Sequence, residues 1–108
     1  MTDRFTVEKA LQLVSESEDG AYGVLLEHGS LELGFYKPDV TDPQQPHDQD
    51  EIYIIQSGSG WFVCGDERNP FAPGEALFVA AGVVHRFEEF SDDFAAWVIF
   101  YGPRGGEK

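Results

Sequence analysis

Apolar residues recur at helical spacing near the start of the chain. In "TVEKALQLV", Val7, Ala10, Leu11 and Val14 fall three and four apart, Thr6 stands at the N-cap position and Glu8 sits in the first turn, so the pattern predicts one short helix. After the polar break "SESEDG" the period changes to two. "AYGVLLEHGSLELGFY" reads as a hairpin that turns at "EHGS", with Leu31, Leu33 and Phe35 on one face of its second arm and Glu32 and Tyr36 on the other. His28 falls in that turn and reads as an exposed polar residue. Five further strand-like runs follow, "EIYII", "GWFVC", "EALFVAA", "VVHRFEEF" and "FAAWVIFY", separated by "QSGS", "GDERNPFAPG", "GV" and "SDD".

One helix followed by six or more short strands argues for an all-β sandwich or barrel. Gly58 with Gly60, and Pro73 with Gly74, mark tight turns. No internal repeat or linker divides the chain, and its 108 residues suit one domain. Residues 1–18 read as helix and linker, 21–101 as the β-barrel, and 102–108, "GPRGGEK", as a flexible tail.

Composition narrows the partners. Hydrophobic residues make up 42% and aromatics 14%, enough bulk for one core. Twenty acidic against seven basic residues give a net charge of -13, which repels nucleic acid and anionic membrane surfaces. No DNA-binding helical module accompanies the strands. No apolar run reaches the ~20 residues of a spanning helix, and "MTDRFTVEKA" has no apolar signal centre, so the expected location is cytoplasmic. The single cysteine, Cys64, cannot form an internal disulfide, and in "WFVC" it reads as a small, inert core thiol.

Metal chemistry centres on "PQQPHDQDEIYIIQSGSG". His47 and Glu51 are four apart, the pairing distance of a helix, but Pro46 and the strand formers of "IYII" argue against helix here. On a straight strand four residues span about 13 Å, too far for a shared bond of ~2 Å. The chain must therefore bend around Gln49–Asp50 if the two are to meet. Gln45, His47, Glu51, Tyr53 and Ile55 are all odd, so alternation puts them on one face. A polar loop running into a strand gives the same letters without a metal.

The segment resembles the first motif of the cupins, in which a glycine precedes His-x-His, a glutamate follows after three or four residues, and a glycine closes the motif. His47 matches the second histidine, Glu51 the glutamate and Gly58 the closing glycine, whereas Gln45 stands in the place of the first histidine and the opening glycine is absent. "GEALFVAAGVVHRFEE" resembles the second motif: Gly74 opens it, Gly82 is the internal glycine and His85 follows at the family's distance. Ala80 replaces its proline and Glu89 its asparagine. The two motifs in order imply a cupin-type double-stranded β-helix, or jelly-roll, with one N-terminal helix.

That resemblance implies metal ligands at His47, Glu51 and His85, with Gln45 as a weaker fourth oxygen donor. Two imidazoles and a carboxylate suit iron, manganese, zinc or nickel. A small oxygen-rich metabolite would then be the ligand, and oxygenase or isomerase-type Lewis-acid chemistry the activity, with Glu51 also able to accept a proton. Phe35, Tyr53 and Phe87, with Trp61 or Phe62, are expected to line the pocket. Arg86 faces away and serves a surface ion pair. "AAWVIFY", bulky on both faces, and the resemblance point to a homodimer. The alternative is a non-catalytic barrel that binds a sugar or metabolite without essential metal.

Overall fold

The computed structural model describes residues 4–39, 42 and 46–107. Helix α1 (Val7–Glu16) precedes strands β1 (Tyr22–His28), β2 (Leu31–Tyr36), β3 (Asp50–Ser57), β4 (Gly60–Cys64), β5 (Glu67–Phe71), β6 (Ala76–Val79), β7 (His85–Glu88) and β8 (Ala95–Tyr101). They form a five-stranded sheet in the order β1-β2-β8-β3-β6 and a three-stranded sheet in the order β5-β4-β7, paired antiparallel throughout. The expected all-β jelly-roll is present.

Alternation explains how the sheets meet. Tyr53 and Ile55 of β3 and Ala96 and Val98 of β8 face Phe62, Phe71 and Phe87 of the smaller sheet in one core. The opposite parity of β8, Ala95 and Trp97, joins Phe35 in a second cluster under α1. "ERNPF" escapes a pattern reading because it does not alternate: four of its five residues are exposed. As β5 it lies at a sheet edge, the place where a proline such as Pro70 is tolerated.

The Thr6 hydroxyl caps α1 by accepting from the Lys9 amide at 3.2 Å. Ala10 and Val14 are buried, but Leu11 is 40% exposed and turns away from the sheet. The helix lies so close to β1 that a Cβ on Gly23 would come within 2.9 Å of the Leu13 and Val14 backbone. His28 ends β1 rather than sitting in the loop. It is exposed, and the turn itself is Gly29–Ser30.

Two expectations need correcting. Phe35 does not line the inner pocket: it is fully buried on the opposite side of β2, edge-on to Trp97 at 4.9 Å and under α1. The inner face of β2 is the one bearing Tyr36. Residues 102–107 are not a free tail either, because the amides of Gly105 and Glu107 donate to the Asp48 carbonyl at 2.8 Å and to Asp50 Oδ2 at 2.9 Å.

Candidate metal centre

Just before β3 the backbone bends at Asp48–Gln49, and the bend brings His47 Nε2 to 4.0 Å from Glu51 Oε1. Backbone groups from three directions hold it. Gly82 N–H donates to the His47 carbonyl at 2.7 Å, and Asp50 Oδ1 accepts from Ala81 N–H at 3.0 Å. Gln49 Nε2 donates to the carbonyls of Ser30 and Gly102, both at 2.9 Å. The amides of Glu107 and Ala81 hold the Asp50 carboxyl below the usual carboxylate range.

His85 opens β7 in the other sheet. A carbonyl can only accept, so the 2.9 Å contact with the Val83 carbonyl fixes the proton on Nδ1. Nε2 then points inward, 3.0 Å from the Tyr53 hydroxyl and 3.1 Å from Glu51 Oε1. With its proton on Nδ1 the neutral ring has none on Nε2 to donate to Glu51, and neither Glu51 oxygen has a hydrogen-bond partner.

Glu51 is 0% exposed. A carboxylate stripped of water and left without a hydrogen-bond donor is costly, and a cation placed among these donors offsets that cost. One donor atom from each of His47, Glu51 and His85 lies within 4.8 Å of the others. Donors bonded at ~2.1 Å to one ion sit roughly 3–3.5 Å apart, so His85 and Glu51 already fit and His47, with one-third of its side chain exposed, is the arm that closes.

The two rings differ in proton affinity. Burial alone lowers His85, but the Glu51 carboxylate and the Val83 carbonyl outweigh it and the net direction is upward. For His47 burial prevails over the attraction of Glu51, and its pKa falls below the ordinary imidazole value.

Tyr53 reaches the site through its hydroxyl, and Phe87 packs edge-on beneath it at 4.9 Å. Phe62, not Trp61, faces inward; Trp61 lies beneath the Arg68 guanidinium, 4.4 Å from its ring. Arg86 is exposed and paired with Glu88, as alternation implies. Cys64 pairs with His85 across β4 and β7, and burial, followed by Glu67 and Glu51, raises its thiol pKa. Gln45 lies outside the described residues.

Sequence reasoning missed three inner residues. The Phe100 ring meets His47 edge-on at 4.8 Å, and the Tyr22 hydroxyl donates to Glu32 Oε2 at 2.7 Å. The available signal was Gly34, which shares the face of Glu32 and Tyr36 and leaves room for the Tyr22 ring.

Comparison with known proteins agrees with the architecture. An uncharacterized protein of Streptomyces coelicolor is 37% identical over 95 residues, covering 86% of this chain and 90% of its own. The crystal structure of a Cupin 2 conserved barrel domain protein from Salinispora arenicola superposes with a TM-score of 0.68 at 20% identity, covering 94% of this chain and 89% of that one. KdgF from a Halomonas species superposes with a TM-score of 0.67 at 17% identity, covering 77% and 78%. The cupin domain matches residues 33–101, well over half of the sequence, and the chain therefore belongs to the cupin family.

Proposed function

We propose that this chain is a metal-dependent cupin in which His47, Glu51 and His85 hold a divalent ion, with Gln45 as a further weak oxygen donor. The observation that carries the reading is the Glu51 carboxylate, buried without a hydrogen-bond partner between two imidazoles. The ligand is a small oxygen-rich metabolite, turned over by oxygenase- or isomerase-type chemistry. When bound, the ion supplies a Lewis-acid centre or, as iron, a place where dioxygen and substrate meet.

The protein's own groups do the rest. Val83 fixes the tautomer and orientation of His85, so that Nε2 faces the interior. Glu51 contributes one negative charge, leaving a divalent site net positive toward an oxygen ligand, and it accepts a proton when not coordinating. Tyr53 and Phe62 dry the floor, since both belong to the buried core.

The test is metal analysis of protein purified without a histidine tag, beside His47→Ala and His85→Ala variants. Near-stoichiometric metal in the wild type, lost in both variants, supports the site. Its absence favours the non-catalytic metabolite-binding barrel.

A homodimer belongs to the same proposal. Leu26, Leu33, Ile99, Ile52 and Phe78 pair in one row across all five strands of the large sheet. All five keep solvent exposure, Phe78 as much as 56%, and a second copy would cover them. No helix among the described residues is long and apolar enough to cross a membrane.

A further inference from the structure

On the inner face of the large sheet Glu51 pairs with Phe100, and Phe100 with Glu32, across β3, β8 and β2. Neighbouring strands lie about 4.8 Å apart, which puts Glu32 roughly 10 Å from Glu51, the length of a small metabolite. Phe100, whose ring touches His47, is the floor between them. Glu32 is not left to wander. The Tyr22 ring crosses β2 at Gly34, where a Cβ would come within 2.1 Å of the Tyr22 hydroxyl oxygen, and the hydroxyl donates to Glu32 Oε2 at 2.7 Å. Burial, then Glu32, with a smaller contribution from Glu51, pushes the Tyr22 pKa up, so the phenol stays a donor.

The charges around this inner face are one-sided. Among the described residues, Arg4 and Lys9 line a groove beside α1, and Lys37 donates to the Asp92 carbonyl. Arg68 pairs with Glu88 and Glu89, Arg86 with Glu88, and Arg104 with Asp48. None of these contacts places a base beside Glu32, so a second anionic group on a ligand would meet Glu32 with no counter-charge.

We propose that Glu32, positioned by Tyr22, determines the specificity of the metal site: it accepts hydrogen bonds from the part of the ligand remote from the ion. It selects a remote hydroxyl or ammonium group over a carboxylate or phosphate. The inference rests on the metal reading above, and it names the substrate class as neutral or cationic at its far end.

Three α-hydroxycarboxylates share a metal-binding head and differ in their remote group: isoserine carries an ammonium, glycerate a hydroxyl and malate a carboxylate. Each is titrated into cobalt(II)-loaded protein and followed by the visible spectrum of the ion. The wild type binds isoserine and glycerate at least about tenfold more tightly than malate. Glu32→Gln brings the three within about threefold, and Glu32→Lys inverts the order. Tyr22→Phe weakens the discrimination while leaving cobalt affinity unchanged, the signature of a positioning residue. Malate binding as tightly as the others in the wild type overturns the proposal, as does an unaltered order in Glu32→Lys or the absence of binding by all three to cobalt-loaded protein. A failed cobalt titration, measured first, sinks the parent metal reading instead and takes this proposal with it.

Discussion

His85 Nε2 stands 3.1 Å from Glu51 Oε1 although one residue opens β7 in the small sheet and the other lies on β3 in the large one. A proton and a metal ion compete for that nitrogen. Because the folded pKa of His85 is raised, its protonated form stabilises the metal-free protein fully below the unfolded value of ~6.5, and that contribution is lost as pH rises through the folded value. Metal binding runs the other way, complete above the folded pKa and falling as pH drops through it. His47, with a lowered pKa, gives up its proton first and does not set the limit. In denaturant titrations from about pH 5 to 8, the stability advantage of metal-free wild type over His85→Gln shrinks as pH rises, while zinc affinity of the wild type grows. Zinc affinity flat across that range would refute the coupling.

Glu51→Gln separates stability from function. The buried carboxylate lacks hydrogen-bond partners, so above the folded pKa of His85 its neutral isostere removes an uncompensated charge. The metal-free variant is then at least as stable as the wild type, because an uncharged amide costs less to bury than an unpaired carboxylate. Metal affinity falls by more than the roughly 10- to 100-fold that changes around the ligands cost. Urea melts beside a zinc titration check both, and a variant that unfolds earlier at high pH while keeping its metal contradicts the site.

β3 was legible because its odd residues turn inward, and β8 because its apolar residues occupy both parities, one against each cluster. Which face of β2 is inner was not legible, since period two fixes that Phe35 and Tyr36 differ and is silent on which side the helix will cover. The bend that unites His47 with Glu51 was required by distance, but its restraints, Gly82, Ala81 and Gly102 to Glu107, come from far along the chain and leave no local pattern. A tail of Gly, Pro and charge reads as solvated until Asp48 and Asp50 provide acceptors for its amides.

Asp50 is the residue most exposed to test among those restraints. Its two oxygens tie Ala81 and Glu107 to the start of β3, and Gly106 packs so close that a Cβ there would be 3.0 Å from Oδ1. The depressed pKa means that this contribution is complete above the ordinary aspartate value and is lost as pH falls through the lower, folded one. Asp50→Asn therefore lowers the melting temperature at neutral pH and narrows its gap to the wild type under strong acid. It also weakens metal binding without removing a ligand, because the His47 arm loses its anchor, and amide exchange at Glu107 speeds up. An unchanged exchange rate would show that the tail does not brace the site.

The outer row Leu26–Leu33–Ile99–Ile52–Phe78 sets the last expectation. With a net charge of -13, two copies repel, so association has to come from a patch where charge is absent and apolar area is continuous. This row is such a patch, and α1 covers a different part of the same face, around Phe35 and Trp97. Light scattering of the purified protein is expected to give twice the chain mass, with added salt strengthening the pairing by screening the repulsion. Phe78→Glu puts a charge at an exposed edge position and Ile52→Glu one strand further in. Each yields monomers, and each retains its metal because the inner face is untouched. Phe78→Glu alone suffices as the test if Ile52→Glu folds poorly, and a dimer that survives it would place the contact on another surface.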